Sequence, residues 1–100
     1  FPGMGTPLAI AADNHATATA QILLKHGADA NATTPGFDTP LIKAVREGDM
    51  EIVKLLVSKG ADVNLASPIG RGTPLKAAER NNEDEIAAYL RSKGAVSASK

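Results

Sequence analysis

Apolar residues along this chain fall into short clusters of two alternating lengths, separated by polar breaks that return at a fixed interval. The compact cluster Leu41-Ile42-Lys43-Ala44-Val45 is followed by the break Arg46-Glu47-Gly48. A longer stretch comes next, in which Ile52, Val53, Leu55 and Leu56 form one helical stripe. The pattern predicts a helix of about two turns, a break, and a second, longer helix. The same alternation surrounds the breaks Asp13-Asn14-His15 and Arg80-Asn81-Asn82, so six helices in three antiparallel pairs are expected.

Residues with known end preferences punctuate these clusters. Thr6-Pro7, Thr39-Pro40 and Thr73-Pro74 stand at the start of each short helix. The Thr hydroxyl accepts from an otherwise unpaired N–H, and Pro at the first helical position has no bond to lose. Asp49 is placed to cap the second helix of the middle pair, and Asn82 with Glu85 resembles a capping box in the last. Gly27, Gly60 and Gly94 are expected to stop the longer helices, and Lys25, His26, Lys59 and Lys93 suit the negative ends just before them. The segments Pro2-Gly3, Pro35-Gly36 and Pro68-Ile69-Gly70-Arg71-Gly72 read as hairpin-like tips between pairs.

These markers keep register. Thr-Pro-Leu occurs at Thr6, Thr39 and Thr73, with spacings of 33 and 34. The series Gly27-Ala28-Asp29, Gly60-Ala61-Asp62 and Gly94-Ala95-Val96 repeats the same intervals. Pro2, Pro35 and Pro68 are spaced by 33 and 33, which places the one extra residue of the last unit between Pro68 and Thr73. The unit closely resembles the ankyrin repeat, whose pattern includes Thr-Pro-Leu-His-x-Ala at the first helix and Gly-Ala-Asp-Val-Asn after the second. Gly60-Ala61-Asp62-Val63-Asn64 in the middle unit matches it in full, and Gly27-Ala28-Asp29-Ala30-Asn31 nearly so. The resemblance implies an all-α solenoid of stacked antiparallel helix pairs with projecting β-turn or hairpin loops. Its units are expected at about 2–34, 35–67 and 68–96, the last resembling a C-terminal cap, with a polar tail at 97–100. The family's His is replaced by Ala9, Ile42 and Lys76, which predicts weaker ties between neighbouring loops. His15 stands where the family prefers Gly, and Thr17 and Thr19 are mediocre helix formers in the second helix.

Composition narrows the partners. The chain has 100 residues, 11 basic and 11 acidic, and no cysteine. Balanced charge argues against nucleic acid, which rewards a basic surplus. The lack of cysteine excludes disulfides and thiolate metal sites, and fits a reducing compartment, so a cytoplasmic setting is slightly favoured. No apolar run is long enough to span a bilayer. Charge is concentrated at one end: Glu79, Arg80, Glu83, Asp84, Glu85, Arg91 and Lys93 suit a polar terminal face. From Phe1 to Leu24 the one formally charged residue is Asp13. Ile10, Ile22 and Leu23 are expected to pack inward, leaving Ala9, Ala16, Ala18 and Ala20 on an outer surface of little polarity. That face is expected to be covered by further repeats before Phe1, by a partner or by a second copy. An alanine-rich face that tolerates water is the alternative.

By the resemblance, turn tips and the solvent side of the short helices line a concave groove that binds another protein. The residues placed there are Met4, Asp13, Asn14, Phe37, Asp38, Arg46, Glu47, Ile69, Arg71, Arg80 and Asn81. Phe37 and Ile69 are apolar side chains at turn tips, and Arg is enriched at interface hot spots. Each has a plainer reading. Phe37 packs locally, and Arg46 and Arg80 pair with Glu47 and Glu79. Acidity lies nearer the first unit and basicity nearer the third, which would steer a partner of matching gradient.

No catalytic, metal or cofactor signal stands beside this. His15 and His26 lack converging ligands, Gly70-Arg71-Gly72-Thr73 lacks the spacing of a phosphate-binding loop, and no Ser lies in a nucleophile elbow. Asn31 and Asn64 occupy a position that some oxygenases hydroxylate in the family, and are expected to close turns through side-chain hydrogen bonds. The leading function is a protein-binding module. An inhibitor or immunity-type protein that blocks one enzyme, or a structural fragment of a longer scaffold, are the alternatives, and an enzyme is not expected.

Overall fold

The computed structural model describes residues 5–33 and 36–96. Six helices follow in order: α1 (Pro7–Asp13), α2 (Thr17–Lys25), α3 (Pro40–Arg46), α4 (Met50–Ser58), α5 (Pro74–Arg80) and α6 (Asp84–Ser92). No strand occurs among the described residues. The helices pair as α1–α2, α3–α4 and α5–α6, and the pairs stack so that α1, α3 and α5 form one layer and α2, α4 and α6 a second. This is an all-α solenoid.

The short helices start alike because of their caps. Oγ1 of Thr6, Thr39 and Thr73 accepts from the N–H of Ala9, Ile42 and Lys76 at 3.1, 3.1 and 3.2 Å. Asp49 caps α4 as expected, its Oδ1 3.1 Å from the Ile52 nitrogen. The capping box at α6 does not form. Its N-cap is Glu83, without a side-chain cap bond, because Asn82 is already committed to ending α5.

All six helices end in one motif. In α3, Asp49 N–H donates to Ala44 C=O at 3.1 Å and Gly48 N–H to Val45 C=O at 3.0 Å. That pairing requires a left-handed residue in between. Gly48 meets the requirement at φ 69°, but the equivalent positions are His15 at φ 56° and Asn82 at φ 57°. Asn and His adopt this conformation more readily than most side chains, but both carry a steric strain that Gly avoids.

The core is aliphatic. Leu8, Leu41 and Leu75 line up along the short-helix layer, and Ile52, Val53, Leu56, Ile86 and Leu90 fill the space beneath. Tyr89 stays half-buried on the outer layer, its ring 5.7 Å from the ammonium groups of both Lys54 and Lys93.

Residues in equivalent places differ in burial where a neighbouring pair is present on one side only. Leu56 and Leu90 are fully buried and Leu23 half-buried. Thr19 is exposed where Ile52 and Ile86 are buried. Ile22, expected to pack inward, is 58% exposed, because no described element covers that side of α2. Ile10 is half-buried, while Ala9 and Ala20, expected on the outer surface, are buried against neighbouring helices. The outer side of α2 therefore shows Ala18, Thr19, Gln21 and Ile22, a mixed surface and not an alanine face. At the opposite end, Lys76, Glu79 and Arg91 are exposed in places where the preceding pairs bury Ile42, Val45 and much of Val57.

Candidate functional site

The uniform helix length brings the ends of the short helices into register. Asp13, Arg46 and Arg80 are their last residues, and Asn14, Glu47 and Asn81 their C-caps. All six are exposed and lie along one edge of the stack. The tips carrying Phe37, Asp38, Ile69 and Arg71 precede α3 and α5 on the same side, and Met4 lies outside the described residues.

Two recesses form there. The larger, of about 220 Å³, lies between the second and third pairs and is lined by Ile42, Arg46, Arg71, Ala77, Arg80 and Asn81. The smaller, of about 50 Å³, lies between the first and second and is lined by Ala9, Ile10, Asp13, Phe37 and Lys43. The structure thus gathers four of the sequence-selected residues into one recess and two into the other, while Asn14, Glu47 and Ile69 line neither. Ile69 is exposed at its tip. Phe37 is half-buried, with its ring beside Gly5 of the first unit, and shares the smaller recess with Ala9.

Asp38 departs from its expected place on the surface. It is 3% exposed, because the Ser67 hydroxyl donates to its Oδ1 at 2.5 Å and Arg46 Nη1 to its Oδ2 at 3.0 Å. Arg71 Nη1 stands 3.9 Å from the same Oδ2. A buried carboxylate needs such partners to offset its desolvation.

The pairings expected for the arginines are replaced by others. Glu47 faces His15, with Oε1 3.4 Å from Nε2, and Glu79 accepts from Arg91 at 3.1 Å. Arg46 is held by Asp38, and Arg80 donates to the Arg71 carbonyl at 3.0 Å. Sequence neighbours on a short helix are not face-to-face, and partners are chosen by which loop lies alongside. The charge gradient is also altered, since Asp13 pairs with Lys43 at 3.3 Å.

Lys43, Ser67, Ile42 and Ala77 escaped the sequence reading of the site. The available signal was register: Lys43 and Ala77 stand at the position of Ile10, on the side facing the preceding unit.

The loop ends are tied together by asparagine. Asn31 Nδ2 donates to Gly60 C=O at 3.1 Å, and its Oδ1 accepts from Asp62 N–H at 2.7 Å. Asn64 does the same to Gly94 C=O and Val96 N–H at 3.1 and 3.0 Å. These bonds join successive units, where the sequence suggested closure of a single turn. They supply loop order that the missing His was expected to provide.

His15 also spans two units, its Nδ1 3.0 Å from Asp49 Oδ2. No group of three or more metal-ligating side chains occurs among the described residues. No described helix is long and apolar enough to cross a membrane.

A family model described as ankyrin repeats (3 copies) matches residues 8–100. No curated protein matches the chain. The match extends over nearly all of the sequence and agrees with the stacked pairs and linked loops, and the chain therefore belongs to the ankyrin-repeat family, whose members are generally protein–protein interaction modules and typically not enzymes.

Proposed function

We propose that this chain binds a partner protein across the edge formed by the ends of α1, α3 and α5 and the tips that precede α3 and α5. The observation that carries this reading is the convergence of Arg46, Arg71, Arg80 and Asn81 on one recess between two stacked units. Arginine fits such a role because its planar fork makes several directed bonds and its stem packs on apolar surface. The recess is held open in advance. Asp38 fixes Arg46, the Arg71 carbonyl holds Arg80, and Asn64 ties the loops behind. A surface ordered before contact loses less conformational entropy on binding. The mechanism is docking onto a rigid scaffold.

The test compares two surfaces of the folded chain. Immobilised wild type, an Arg71→Ala/Arg80→Ala variant and an outer-layer Glu51→Ala/Lys54→Ala variant are offered the same cell extract, and bound proteins are quantified by mass spectrometry. The expected result is a protein retained by wild type and the outer-layer variant and lost from the arginine variant. Retention that depends on Glu51 and Lys54 instead overturns the proposal.

A further inference from the structure

The larger recess has a composition that selects its occupant. Three guanidinium groups, from Arg46, Arg71 and Arg80, surround it, and among the described residues the one carboxylate paired with any of them is Asp38. The recess therefore keeps a formal surplus of two positive charges in a chain whose overall balance is +0. The nearest acidic residues in sequence do not relieve it, because Glu47 is engaged with His15 and Glu79 with Arg91. Ile42 and Ala77, both nearly buried, complete the lining and give the recess an apolar part. The Asn81 amide stands at the rim, exposed and with no side-chain hydrogen bond among the described residues.

We infer that this recess receives a glutamate side chain from a protein segment that crosses between the second and third units. This deepens the proposed function and rests on it. Glutamate matches both halves of the site. Its carboxylate accepts two parallel bonds from a guanidinium fork, and its two methylenes cover Ile42 and Ala77. Arg71 and Arg80 carry the new bonds, since Arg46 is committed to Asp38. The Asn81 amide reads the segment's backbone. A phosphoserine side chain has the charge but one methylene where glutamate has two. A nucleic acid strand needs a basic track and stacking platforms. The recess is a single compartment of about 220 Å³, and no aromatic residue lines it among the described residues.

The experiment selects peptides from a random dodecamer display library on the purified chain, then measures the winners as synthetic peptides by fluorescence anisotropy. The expected winners carry Glu beside an aliphatic residue. Replacing that Glu with Gln weakens binding about tenfold or more, as expected for losing a charge-assisted pair. Arg71→Gln/Arg80→Gln in the chain has the same effect with an unchanged thermal midpoint, and the Gln peptide no longer distinguishes the variant from wild type. Rising salt weakens the Glu peptide more than the Gln peptide.

Winners without acidic residues whose binding is lost on Asp13→Ala or Asn14→Ala would leave the binding edge standing and remove the glutamate site. Acidic winners that ignore the arginine variant would remove it as well. A phosphoserine peptide binding tenfold tighter than its Glu counterpart would reassign the recess to phosphopeptides. A library that yields no binder would overturn both readings.

Discussion

Asp38 and Ser67 meet at the two ends of the second unit, the Ser67 hydroxyl donating at 2.5 Å to a carboxylate that is 3% exposed. Ser67 N–H also donates to the Gly72 carbonyl at 2.7 Å, closing the tip on which Ile69 stands. Removing the hydroxyl leaves a buried carboxylate oxygen short of a partner. Ser67→Ala is expected to cost about 1–3 kcal/mol in urea unfolding. Asp38→Ala releases both Ser67 and Arg46, so the double variant should fall short of the sum of the two single changes.

The asparagine ties predict local and separable effects. Asn31→Ala removes bonds to Gly60 and Asp62, and Asn64→Ala removes those to Gly94 and Val96. These sites are exposed, and each substitution should cost about 1 kcal/mol. Amide exchange distinguishes them: Asn31→Ala should speed exchange at Asp62, and Asn64→Ala at Val96.

The left-handed position after each short helix gives a third prediction. Gly48→Ala introduces a side chain at φ 69° and should cost about 1–2 kcal/mol. The added Cβ would also lie 2.6 Å from Glu83 Oε2, which must swing aside. At His15 the order reverses. His15→Gly relieves the strained conformation while losing exposed contacts to Asp49 and Glu47, and should stay within about 1 kcal/mol of wild type. His15→Ala keeps the strain and loses the contacts, and should melt below His15→Gly.

Burial sets a fourth contrast. Leu56 is fully buried and Leu56→Ala should cost about 2–5 kcal/mol. Leu23 stands at the same register but is half-buried, and Leu23→Ala should cost less than half as much. Guanidinium unfolding of the two variants checks the order.

These cases show where the sequence was readable. Helix starts were legible at Thr6, Thr39 and Thr73 because a cap bond spans only three residues, and the ends at Gly27, Gly60 and Gly94 because the left-handed turn is equally local. Asn82 misled because two local motifs competed for it, and ending α5 took precedence over starting α6. The site was readable as an edge but not as a set of pairs. That Asp38 turns inward depends on Ser67, 29 residues away, and the partners of Arg46 and Arg80 depend on the placement of loops. Ala9 and Ala20 were assigned to the wrong side because alanine, unlike leucine or lysine, fits either surface.

The exposed charges of Lys76, Glu79 and Arg91 have a consequence for crowded solutions. A stack built by translation has two unlike ends, and unlike ends can join head to tail without closing, which produces fibres. In this chain such a joint would press the outer side of α1 and α2, with Ile10, Ile22 and Leu23, onto those charges. Lys76 would lose water without a counter-ion on the other side, and the Glu79–Arg91 pair would be desolvated against an apolar surface. The polarity of that one surface therefore works against polymerisation, whatever the stickiness of the other.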